Sequence, residues 1–81
     1  MIAVAVSGAA GRMGRLVCET VAAADDLDLI AAYDPAGGKG IATDPAALAF
    51  AEVVVEFTVP DAVDANLARW RSMGLHTVVG T

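Results

Sequence analysis

Apolar residues fall into short blocks whose spacing switches repeatedly between two periods. Ile2-Ala3-Val4-Ala5-Val6-Ser7 carries no charge and ends at a glycine, the pattern of a buried strand. Met13, Leu16, Val17 and Val21 then recur at helical spacing, which predicts a helix from about Gly11 to Ala24 with Arg12, Arg15 and Glu19 on its polar face. Leu27 to Tyr33 predicts a second strand, closed by Asp34-Pro35. Beyond the glycine-rich loop from Pro35 to Thr43, either Thr43 or Asp44 can cap a short helix that has Pro45 at its first position and runs through Ala46, Ala47, Leu48 and Ala49. Val53 to Thr58 is dense in β-branched residues and reads as a third strand, with the charge of Glu56 placing it near the rim of the sheet. Thr58-Val59-Pro60-Asp61 has the form of a helix start with Thr58 as the cap, and Val63, Leu67 and Trp70 keep helical spacing as far as a stop at Gly74. Trp70 is expected in the helix–sheet interface. Leu75 to Val79 makes a last strand, with His76 near its start and Gly80-Thr81 at its end. Four strands alternating with three helices predict right-handed crossovers and a parallel sheet over residues 1–81.

The first strand and first helix are joined by Gly8-Ala9-Ala10-Gly11-Arg12-Met13-Gly14, with three glycines at three-residue spacing. The first turn of a helix has N–H groups without intrahelical partners and partial positive charge, so an anion fits there. Without side chains at Gly8 and Gly11 a pyrophosphate can approach the backbone, while Gly14 lets the helix pack closely on its strand. A tight connection that binds nothing has the same glycines; the flanking strand and helix favour a nucleotide. Asp34 lies 20 residues after Gly14, where a dinucleotide-binding βαβ unit carries an acid at the tip of its second strand for the adenosine ribose hydroxyls. Asp-Pro also begins turns, but its spacing from the glycines favours the ribose role. The fold class is therefore α/β, a Rossmann-like sheet built from βαβ units. Its rim gathers Gly8 to Met13, Asp34, Phe57-Thr58 and Gly80-Thr81 at the carboxyl ends of the strands. Pro35 to Thr43 superficially resembles a P-loop, but Gly40 follows Lys39 where Ser or Thr is required. His76 stands at the opposite end of its strand and reads as structural.

Composition narrows the function classes. Of 81 residues, 57% are hydrophobic, which suits strands covered on both faces. No apolar run approaches the roughly 20 residues that span a bilayer, and the start is not a secretory signal, so a cytoplasmic protein is expected. Ten acidic against five basic residues give a net charge of −5, and the basic residues form no long cluster, which argues against a nucleic-acid partner. Cys18 is the single cysteine and reads as a small buried thiol, with no intramolecular disulfide and no cysteine-based metal cage. Asp25, Asp26 and Asp28 match no metal-ligand loop and read as a solvated turn.

Three blocks together resemble the amino-terminal part of the 4-hydroxy-tetrahydrodipicolinate (dihydrodipicolinate) reductase family: Val6 to Gly14 with its Arg-Met pair, Val55-Glu56-Phe57-Thr58-Val59-Pro60, and Val78-Val79-Gly80-Thr81. The resemblance covers Met1 to Thr81. It implies an NAD(P)H-dependent reduction of 4-hydroxy-tetrahydrodipicolinate to tetrahydrodipicolinate, on the way to diaminopimelate and lysine. By resemblance, Gly8, Ala9, Ala10, Gly11, Arg12 and Met13 hold the pyrophosphate region and Asp34 the adenosine ribose. Phe57 and Thr58 lie beside the same cofactor, and Gly80 and Thr81 open the segment lining the nicotinamide. Glu56 stands where the family commonly has aspartate, and Pro35 where some members carry an arginine for the 2′-phosphate. A carboxylate at Asp34 repels a 2′-phosphate, so NADH is expected over NADPH, with Lys39 and Arg12 as the two cations that bear on that preference. The resemblance also implies that the histidine and lysine acting on the dicarboxylate substrate lie in a later substrate-binding domain, through which the full-length protein forms a homotetramer. This chain, ending on a strand with no helix after it, reads as truncated before that domain and is expected to be inactive alone. The alternative is a stand-alone nucleotide-binding module.

Overall fold

The computed structural model describes residues 1–80. Strand β1 (Ile2–Ser7) leads through the glycine turn into helix α1 (Arg12–Ala23), followed by β2 (Leu27–Tyr33), β3 (Val53–Glu56), α2 (Pro60–Ser72) and β4 (His76–Val79). The four strands form one parallel sheet in the order β2-β1-β3-β4. The order reverses between β1 and β3, so the loops leaving these two strands part at their carboxyl ends and open a crevice.

The predicted third helix is a single 3-10 turn, Pro45–Leu48, leaving two α-helices. Asp44, rather than Thr43, caps it, its Oδ1 accepting from the Ala46 N–H at 2.9 Å. Its N–H groups bond three residues back, Ala47 to the Asp44 carbonyl and Ala49 to the Ala46 carbonyl, the tighter pattern that occurs in short pieces. Leu48 is nevertheless fully buried and pins the segment to the core.

The two faces of the sheet are covered differently. On one, Ala5, Tyr33 and Val54 pack with Leu48, Ala51, Leu75 and the fully buried Trp70 of α2. Tyr33 and Trp70 meet edge to face, with ring centroids 5.7 Å apart and planes at 86°. The other face, carrying Val4 and Val6, receives α1. A register shift between Val4 and Ala5 pairs Val4 with Leu29 but Val6 with Ala32, so Leu29 and Ala32 share the α1 face although three residues apart.

Met13 and Leu16, expected on the apolar face of α1, are exposed; the helix is seated through Gly14 and Val21 instead. Gly14 brings the helix backbone against the turn, and a helix that close needs no large residues on its first turn. Nor are all strands covered on both faces. Val78 and Val79 of β4 are exposed, while β1 and β3 form the buried centre.

Candidate functional site

The turn after β1 is held by its own backbone. Gly8 has φ +86°, and both Gly8 and Ala9 donate their N–H to the Tyr33 carbonyl, at 2.9 and 3.1 Å. Gly11 donates to the Gly8 carbonyl at 3.1 Å. Ala10 donates to Asp34 Oδ2 at 3.1 Å. The N–H groups of residues 8–11 are thus consumed within the fold. Among the described residues, those of Arg12, Met13 and Gly14 have no partner, because the first intrahelical bond of α1 is Arg15 N–H to the Gly11 carbonyl. The anion-binding capacity of the turn is therefore in the backbone of residues 12–14.

The three glycines have different reasons for lacking a side chain. A Cβ on Gly8 would overlap the Phe57 carbonyl, and one on Gly14 would overlap the Gly8 carbonyl. At Gly11 the backbone is extended, with φ −77° and ψ 169°, and a Cβ would meet only the Gly8 carbonyl at 3.5 Å, an ordinary contact. Nothing in the fold requires glycine at position 11. The space beside it faces outward to the cleft.

Asp34 plays two parts. Its Oδ1 accepts from the Ala36 N–H at 2.9 Å, forming a turn across Pro35, while Oδ2 ties that turn to Ala10. The turn and ribose readings are compatible, since each carboxylate oxygen has a second acceptor site.

Gly8, Gly11, Asp34, Phe57 and Thr58 line one cleft of about 390 Å³ at the crevice, together with Pro35, Ala36, Val59, Ala62 and Asn66. The structure does not bring every sequence candidate there. Ala9 and Ala10 line a neighbouring pocket of about 580 Å³ on the α1 side of β2, with Arg15, Lys39 and Cys18. Arg12 and Met13 are exposed on α1 and face a shallow depression beside Glu19 rather than the cleft. Arg15, not Arg12, is the arginine that shares a pocket with Lys39. Gly80 packs against the Phe57 ring, which a Cβ there would overlap. Thr81 lies outside the described residues. The Cys18 thiol is pushed above its usual range by partial burial and by Glu19, which favours its protonated form.

Glu56 is at the carboxyl end of β3, at the rim where its charge was expected to place it, and is wholly buried there. Its Oε1 accepts from Trp70 Nε1 at 2.6 Å; its Oε2 accepts from Thr58 Oγ1 at 2.5 Å and Asn66 Nδ2 at 3.1 Å. The Thr58 hydroxyl is thereby drawn away from capping α2, whose N-cap is Val59 without any side-chain bond. Asn66 was not a sequence candidate. The signal for it is an asparagine four residues before Trp70 on one helix face, at an interior position where asparagine is poorly suited. Across the sheet from Glu56 the buried Ser7 hydroxyl has no protein partner among the described residues.

The family model described as "Dihydrodipicolinate reductase, N-terminus" matches residues 2–81. The chain belongs to that family. It is 48% identical over 81 residues to 4-hydroxy-tetrahydrodipicolinate reductase of Cutibacterium acnes, covering 100% of this chain and 30% of that protein. The corresponding reductase of Nocardia farcinica is 46% identical over 80 residues, covering 99% and 31%. A dipicolinate-bound dihydrodipicolinate reductase from Paenisporosarcina sp. TG-14 superposes with a TM-score of 0.83 at 21% identity, over 100% of this chain and 37% of that one, which shows the shared fold. This member of the dihydrodipicolinate reductase family thus spans about a third of the length of such relatives. Among the described residues, no helix is long and apolar enough to cross a membrane.

Proposed function

We propose that the chain is the NAD(P)H-binding part of a cytoplasmic oxidoreductase that reduces 4-hydroxy-tetrahydrodipicolinate to tetrahydrodipicolinate, in diaminopimelate and lysine biosynthesis. The observation that carries the binding half of this reading is the row of unpartnered N–H groups at Arg12, Met13 and Gly14, beside a Gly11 that the fold itself does not need. Those donors suit a pyrophosphate, and Asp34, fixed by Ala10 and Ala36, offers its remaining acceptor sites to ribose hydroxyls. When bound, the nicotinamide would supply the reducing hydride; the chain's residues supply position. The helix end holds the pyrophosphate, Asp34 fixes the adenosine end, and Phe57 with Thr58 walls the far side of the crevice. Substrate binding through a second domain and homotetramer assembly belong to the same proposal for the full-length protein.

NADH is expected to bind more tightly than NADPH. A unit negative charge about 4 Å from Asp34 in a wet site costs on the order of 1 kcal/mol, or about fivefold in affinity. Lys39 and Arg15 line the adjoining pocket and keep that difference small. Fluorescence titration of the chain with both cofactors measures it; equal dissociation constants at low salt would remove the preference. Failure to bind either cofactor would remove the dinucleotide reading itself.

The 81 residues are further expected to show no turnover. His76, the single histidine, is exposed and opens β4 at the end of the sheet opposite the cleft, too far round to exchange a proton there. Following NADH absorbance with substrate present tests this, and steady oxidation above the enzyme-free rate would contradict it.

A further inference from the structure

We infer that Glu56 is a positioning residue that leaves the Thr58 and Asn66 side chains, on the β3–α2 wall of the cleft, able only to accept hydrogen bonds from a ligand. Thr58 and Asn66 both line the cleft, and both are committed to Glu56 on their donor side. The Thr58 hydroxyl proton goes to Glu56 Oε2. One Asn66 amide hydrogen goes to the same oxygen, and the other faces Thr58 Oγ1 at 3.5 Å. What remains of these two side chains for a ligand is a lone pair on Thr58 Oγ1 and the Asn66 carbonyl oxygen. Trp70 locks the other carboxylate oxygen, so Glu56 cannot turn to release either partner.

Those two acceptors suit a ligand group that donates, a hydroxyl or a carboxamide NH₂. If a dinucleotide crosses the crevice, as proposed above, its pyrophosphate belongs at residues 12–14 and its adenosine at Asp34. The half beyond β1 then meets Thr58 and Asn66 with its ribose hydroxyls and carboxamide. Glu56 acts on that half through other side chains, since its own are buried away from the cleft.

Titration of the chain with NADH and, separately, with ADP tests this, because ADP has the adenosine and pyrophosphate but not the donor groups beyond them. Thr58→Val, which removes the acceptor, is expected to weaken NADH about five- to tenfold while moving ADP less than about twofold; Thr58→Ser restores NADH affinity. Glu56→Gln, which can donate to Thr58 and turn its proton toward the ligand, is expected to produce the same NADH-selective loss. Unchanged NADH affinity in Thr58→Val, or an equal loss of NADH and ADP in a folded Glu56→Gln, overturns the inference. If Glu56→Gln does not fold, the wild-type Thr58 hydroxyl proton is followed by NMR: slow exchange in both free and NADH-bound chain is expected, and a proton released on binding overturns it. A wild-type chain that binds neither ligand would instead refute the dinucleotide reading.

Discussion

Alanine at Gly8 or Gly14 is expected to unfold the chain, whereas alanine at Gly11 should leave it folded and remove most of its affinity for NADH. The difference lies in what each new Cβ would strike. At Gly14 it meets the Gly8 carbonyl, and at Gly8 it meets the Phe57 carbonyl with the backbone already at φ +86°. Backbone atoms cannot rotate aside as a side chain can, so β1, β3 or α1 must shift as a body. Overpacking costs about 1–3 kcal/mol or more, and a left-handed conformation adds about 1–2 kcal/mol at Gly8. A chain of this length has roughly 4–12 kcal/mol of stability in all, so either change consumes a large share. The Cβ at Gly11 meets nothing closer than 3.5 Å, and stability there should move by less than about 0.5 kcal/mol. It stands instead in the approach to the free N–H groups of residues 12–14. Thermal melts followed by circular dichroism, paired with NADH titration, separate the cases. A folded Gly11→Ala chain with native affinity would show that the pyrophosphate does not lie beside residue 11.

These contrasts also mark what the sequence could reveal. Leu27–Tyr33 was legible residue for residue because its apolar block is bounded by Asp26 and Asp34. That the strands run parallel followed from their alternation with helices, whereas the order β2-β1-β3-β4 emerged only from the structure. Local pattern failed where a distant partner decides the outcome. Met13 and Leu16 repeat at helical spacing, yet the seat of α1 is set by the backbone contact of Gly14 with Gly8, which hydrophobicity does not register. The charge of Glu56 places it at the rim, but its burial becomes visible only once α2 brings Asn66 and Trp70, 10 and 14 residues later in the chain, to its two oxygens. The Asp34 spacing pointed to the rim correctly, but not to its bond with Ala10 across 24 residues, which takes one N–H of the turn out of use. The free donors could be counted only after the internal bonds were known.

Trp70→Ala is expected to leave no folded chain, and Trp70→Phe a folded one weakened by a few kcal/mol. The indole is wholly buried and touches Tyr33 edge to face. Truncating a buried aromatic to alanine costs about 3–5 kcal/mol, and leaving Glu56 Oε1 buried without its partner about 1–3 kcal/mol more, together most of the stability a chain of this length has. Phenylalanine fills much of the space but cannot donate, so Glu56 Oε1 is left buried without its partner at a cost of about 1–3 kcal/mol. Urea denaturation of Trp70→Phe, Glu56→Gln and the double variant isolates the bond. A coupling energy of about 0.5–3 kcal/mol is expected, whereas strictly additive losses would mean that the indole contributes by packing alone. Thr58 and Asn66 still reach Oε2 in Trp70→Phe, so the folded chain should retain the ADP affinity of the wild type and most of its NADH affinity. One carboxylate would then be doing two separable jobs, with Oε1 fastening α2 to the sheet and Oε2 setting the hydrogen-bond polarity of the Thr58 and Asn66 side chains.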